Sequence, residues 1–141
     1  MVDQRMPEVA VWLRSTIEGD KAAAEAIGAG VWTVAKAGRA ELDELAILDD
    51  GRPIIDSGWE GGGVYDADVA HHIALHDPRD TIARCEAELA ELDRHQPNFA
   101  GDCTRCDQVA PCEAVVIKAR GYRHRPGWKD WEPHTGQERK P

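Results

Sequence analysis

Leu45-Ala46-Ile47-Leu48-Asp49-Asp50-Gly51-Arg52-Pro53-Ile54-Ile55-Asp56 is the stretch on which the fold class turns. Two apolar runs flank an Asp-Gly pair. In the two-residue turns that match strand twist both central positions have positive φ, which Asp tolerates and Gly adopts freely. The stretch therefore reads as a β-hairpin. Upstream, Val31-Trp32-Thr33-Val34 is β-branched and aromatic, and Glu41-Leu42-Asp43-Glu44 leads into the second strand, so a three-stranded antiparallel sheet is expected. A sheet this small is stable only with a helix on one face.

The first helix is the expected cover. Pro7 suits a first helical turn, and Val9, Trp12, Leu13, Thr16, Ile17, Ala24 and Ile27 recur at three- and four-residue steps, which predicts an amphipathic helix over roughly residues 7–28. Gly28 and Gly30 end it. Beyond the hairpin, residues 57–63 hold three consecutive glycines without a following Lys-Ser/Thr; they read as a linker and not as a phosphate-binding loop. Asp66 is then a candidate N-cap for a short helix bearing Val69, Ala70, Ile73 and Ala74. Asp77 and Pro78 restart the chain as a second helix to about His95, with Ile82, Cys85, Leu89 and Leu92 on one stripe. Gln96-Pro97-Asn98 stops that helix. Pro111 is expected to open a short last helix carrying Val115, Val116 and Ala119, limited by Gly121.

The class predicted is α+β: an N-terminal helix on a small antiparallel sheet, then a bent helical pair, a Cys-rich loop and a short C-terminal helix. A chain of 141 residues fits one domain, here residues 1–133, with sheet-bearing (1–57) and helical (64–133) parts and a disordered tail over 134–141. Its charge is uneven: nine Lys/Arg face twenty-one Asp/Glu over residues 1–102, but seven face three over 115–141. An acidic body disfavours duplex nucleic acid. No run approaches the ~18 apolar residues of a membrane span, and the start lacks a signal-peptide pattern, so a cytoplasmic location without membrane association is expected. Thiols there stay reduced, and clustered cysteines point to metal before disulfide.

Cys103, Cys106 and Cys112 form C-x2-C-x5-C. A two-residue gap lets both thiolates of a tight turn face one tetrahedral ion, and a third at a helix start is favoured by the helix dipole. Zinc suits such a sulfur-rich set. Three residues compete for the fourth place: His95 at the preceding helix end, His124, and Cys85. His95 is preferred, because Cys85 lies on the apolar stripe, where a free Cys behaves as a small hydrophobe. The competing reading is three reduced cysteines in a loop without metal.

Other constellations are weaker. His72 and His76 share a helix face, and Asp66 or Asp68 lies near, but no Glu follows His72; solvent-facing or packing histidines, His71 included, are the better reading. The acidic residues around the hairpin match turn and solvent-face roles. Ser15 and Ser57 have no nucleophile-elbow setting, so no catalytic residue is assigned. Trp128 and Trp131 with Arg123, Arg125 and Lys129 suit single-stranded nucleic acid, or else an aromatic tail folded back over the domain.

The run His72-Ile73-Ala74-Leu75-His76-Asp77-Pro78-Arg79-Asp80-Thr81-Ile82, with Pro111-Cys112, Tyr122-Arg123-His124-Arg125-Pro126-Gly127-Trp128 and Trp131-Glu132-Pro133, resembles a domain-of-unknown-function family of small proteins from high-GC Gram-positive bacteria and their phages. The resemblance covers roughly residues 65–133 and, more loosely, the first helix. It implies a small cytoplasmic domain with a long helix, Cys-containing loop, short helix and His/aromatic tail, and it brings no activity, substrate or catalytic residue. The expected role is a non-enzymatic interaction or regulatory protein, with a protein partner and a structural zinc site at Cys103, Cys106, Cys112 and His95. The alternative is a nucleic-acid-binding accessory protein using the Cys-rich loop and the basic tail.

Overall fold

The structure, a computed structural model, describes residues 6–28, 30–36, 45–55, 63–64 and 66–132. Residues 57–62 of the expected linker over 57–63, the lead-in Glu41-Leu42-Asp43-Glu44 and the tail over 134–141 lie outside the described residues. Element order is α1 (Glu8–Ile27), β1 (Trp32–Lys36), β2 (Leu45–Asp49), β3 (Arg52–Ile55), α2 (Ala67–Leu75), α3 (Pro78–Arg94) and α4 (Glu113–Arg120). The α+β class and the antiparallel sheet follow the sequence reading.

The chain forms two compact units, Asp20–Arg84 and the residues on either side of it, up to Gly19 and from Cys85. In the unit Asp20–Arg84 the strands run in the order β1-β2-β3, with β2 in the middle. The hairpin turn is as the Asp-Gly pair requires: Asp50 has φ 46° and Gly51 φ 82°, and Asp49 faces Arg52 across it. A shift in register between Ile47 and Leu48 accommodates the extra residue Ile54. Pro53 costs the sheet nothing on this outer strand, since its missing N–H is not needed there. The central strand is buried at Ala46 and Ile47.

The helix seen packed against β1 and β2 is α2. The α1 stripe, expected to cover the sheet, places its first half elsewhere: Val9, Ala10, Leu13 and Ile17 join Cys85, Leu92, Cys103, Cys112, Val115, Val116 and Ala119 in the core of the other unit. Periodicity reveals that a face is buried but not what buries it.

Capping side chains set both starts in the bent helical pair. Asp66 accepts from the N–H groups of Asp68 and Val69 to open α2. Asp77 accepts from the Asp80 N–H at 2.7 Å to open α3 at Pro78, and its second oxygen accepts from the Trp32 N–H at 3.4 Å. One buried carboxylate therefore serves a helix start and a strand edge. Pro111 differs from expectation: it follows a cis bond and lies ahead of α4, whose N-cap is Cys112.

Candidate metal centre

Three elements of one unit converge on His95. The residue sits one position past α3, its N–H still donating to Leu92 O at 3.0 Å, and its side chain is only 7% exposed. The Cys-rich loop is then folded back under it by main-chain bonds. Thr104 N–H donates to Gln96 O at 2.9 Å, Cys103 N–H to Gln108 O at 2.7 Å, and Asp107 N–H to Cys103 O at 3.0 Å. Asp107 takes φ 53°, the left-handed turn residue that lets the chain double back after Cys106. The third cysteine arrives at the start of α4.

The result is a tight polyhedron of donors. The Sγ atoms of Cys103, Cys106 and Cys112 each lie 3.4 Å from His95 Nδ1, and the four atoms all lie within 4.8 Å of one another. One imidazole nitrogen has a single lone pair or a single proton, so it cannot satisfy three thiols at once. A metal can. With metal–sulfur and metal–nitrogen distances of about 2.3 Å and about 2.05 Å at a tetrahedral angle, the S···N edge is about 3.6 Å, and the three equal distances come within about 0.2 Å of it. Cys103 and Cys112 are buried and Cys106 is partly so, and none of the four cysteines is in a disulfide.

Electrostatics fit the same reading. Burial pushes the Cys103 thiol up, but N–H groups of Arg105 and Cys106, with His95, outweigh it and hold the group at about 7. Burial together with the neighbouring Cys112 and Cys103 sulfurs pushes Cys106 up to about 11. Cys112 is likewise raised, by burial first, and the Val115 backbone N–H counters only part of it. Three sulfurs so close resist ionising together, and a divalent cation is the natural relief for that repulsion.

Sequence reasoning missed one participant. Glu91 Oε1 lies 3.0 Å from His95 Nε2, and that hydrogen bond is the main cause holding the Glu91 carboxyl below its ordinary value. With Nδ1 turned to the sulfurs, Nε2 carries the proton and donates. This is the carboxylate–histidine pairing that orients metal-binding imidazoles. Its signal was present as an i, i+4 spacing at the end of α3.

The alternatives for the fourth position are not in the group. Cys85 is fully buried in the apolar core, as its stripe predicted, and His124 is exposed. His72 and His76 lie edge to face, 4.7 Å between ring centres, both exposed. Among the described residues, only His95, Cys103, Cys106 and Cys112 form a group of three or more metal-capable side chains. Trp128 and Trp131 pack on Trp12, at 5.6 Å and 5.0 Å, and the Trp12 indole N–H donates to Pro126 O at 3.0 Å. Lys129 pairs with Glu8. The aromatic tail is thus folded onto α1, and rings proposed to stack on bases face one another.

No helix among the described residues is long and apolar enough to cross a membrane. The profile of a family described as "Family of unknown function (DUF6221)" matches residues 6–133. No curated protein and no solved structure matches the chain.

Proposed function

We propose that this chain, which belongs to DUF6221, a family of unknown function, is a non-enzymatic interaction or regulatory protein whose Cys-rich loop is fastened by a structural zinc ion. The observation that carries the reading is the set of three sulfurs at one tetrahedral edge length from a single imidazole nitrogen. Sulfur-rich four-ligand sets select zinc among common divalent ions, and four protein ligands leave no position for a substrate or an activated water. The ion would join the end of α3, the loop and the start of α4. The apolar face of α4 is three residues, Val115, Val116 and Ala119, too small to hold that loop alone.

Protein purified under reducing conditions should carry about one equivalent of zinc. Cys103→Ser or Cys106→Ser should lower the melting temperature as chelation of the wild type does. Less than a few tenths of an equivalent, together with unchanged melting in both experiments, would refute the proposal.

A further inference from the structure

Among the described residues, the unit Asp20–Arg84 has an open sheet edge. Strand β1 is outermost, and the direction of its main-chain groups follows from two bonds. Asp50 N–H donates to Val31 O, which turns residue 31 toward β2, while Trp32 N–H donates outward to Asp77. Alternation along an antiparallel pair then turns Thr33 and Ala35 inward and Val34 and Lys36 outward. The register agrees, with Val34 opposite Ile47 and Lys36 opposite Leu45. Leu45 itself bonds Val64 on the far side of β2 and so turns away from β1.

Beside this edge is an open groove of about 770 Å³. Trp32 and Val34 form one wall, and Ala74 and Leu75 of α2 face them. Leu75 is 68% exposed, so a large apolar side chain stands there in water. Arg79, His71 and His72 add donors; Arg79 has no ion-pair partner among the described residues. Of the two carboxylates in the lining, Asp77 is occupied by two backbone N–H groups, and Asp80 stands in the first turn of α3.

The geometry points to β1 as a docking site for an extended peptide of a partner protein, which adds to the sheet as a fourth strand. Its main chain pairs with the N–H and C=O of Val34 and Lys36. An apolar side chain enters between Trp32 and Leu75, and an acidic one meets Arg79 and the two histidines. Main-chain pairing supplies affinity, and the side-chain contacts supply selectivity. The Asp77 carboxylate on Trp32 N–H ends the open ladder at that position and so fixes where the added strand stops. A second copy of this chain fits less well. It would bring its own Arg79 and histidines to the same wall, and its strand carries a helix alongside that has to share the concavity. The inference does not depend on the metal, which lies in the other unit.

The test selects displayed random linear peptides on the zinc-loaded full chain, and synthesises the enriched ones as probes. Val34→Pro removes an N–H that the β1–β2 ladder does not use, so the sheet survives while docking is blocked. Val34→Ala shortens the side chain but keeps the N–H. Enriched peptides that combine an apolar and an acidic residue, protect the Val34 and Lys36 amides from exchange, and lose at least tenfold in affinity with Val34→Pro but not with Val34→Ala support the proposal. Arg79→Glu should weaken the same peptides, and this comparison decides the matter should Val34→Pro fail to fold. No enrichment, binding indifferent to both Val34→Pro and Arg79→Glu, or a wild-type dimer that Val34→Pro dissociates would overturn it.

Discussion

His95 meets two demands at once. Its Nδ1 faces three sulfurs at 3.4 Å, and its Nε2 is held by Glu91 at 3.0 Å. The second contact fixes the tautomer the first requires. Glu91→Gln keeps the carbonyl acceptor but loses the charge, so zinc stays stoichiometric while affinity, read by chelator competition, falls about tenfold. The cysteines dictate the pH dependence. With Cys106 and Cys112 raised and Cys103 at about 7, the metal-free site at neutral pH still holds protons that zinc must displace. Zinc affinity therefore rises with pH, and falls on acidification on the order of tenfold per pH unit for each displaced proton. A titration of zinc affinity between pH 6 and 8 that stays flat would contradict the shifts. The clustering of His95 with Cys103, Cys106 and Cys112 was legible in the sequence because such spacing is local: a tight C-x2-C turn and a histidine at a helix end. Glu91 was not read, since an i, i+4 Glu–His pair is common on helix surfaces and acquires its meaning only once the histidine has a second partner.

At the scale of elements, local chemistry specified most starts and turns. Asp50-Gly51 made the hairpin, and Asp66 and Asp77 opened α2 and α3 where the side-chain oxygens could reach free N–H groups. What the sequence left open was partnership. The α1 stripe predicts a buried face with equal force whether a sheet or two helices bury it, and here Leu13 and Ile17 went to the core around Cys85 and Val116. The second bond of Asp77 was equally invisible, because Trp32 and Asp77 are forty-five residues apart. It has a measurable weight. Asp77→Ala removes the cap and leaves the Trp32 N–H unpaired, and should cost about 1–2 kcal/mol in denaturant unfolding. Asp77→Asn, which keeps an oxygen acceptor, should recover most of that loss.

The candidate metal centre lies in one part of the molecule. His95, Cys103, Cys106 and Cys112 all belong to the unit made of residues up to Gly19 and from Cys85, whereas the sheet and α2 belong to the other. Zinc removal should therefore weaken amide protection first around residues 95–120, with the hairpin over 45–55 largely retaining its own. Equal loss in both stretches, followed by hydrogen exchange, would argue against a local role for the ion. This division was not legible from composition, since the chain passes from one unit to the other inside α1 and again inside α3, with no Gly- or Pro-rich break at either place. It also sets a timetable for synthesis. On the ribosome the N-terminal stripe, Val9, Ala10, Leu13 and Ile17, emerges early, but its core partners begin at Cys85 and continue to Tyr122. Until those residues are made the stripe has nothing of its own unit to pack on. During that interval the stripe lacks its native cover, and chaperones or neighbouring nascent chains can compete for it.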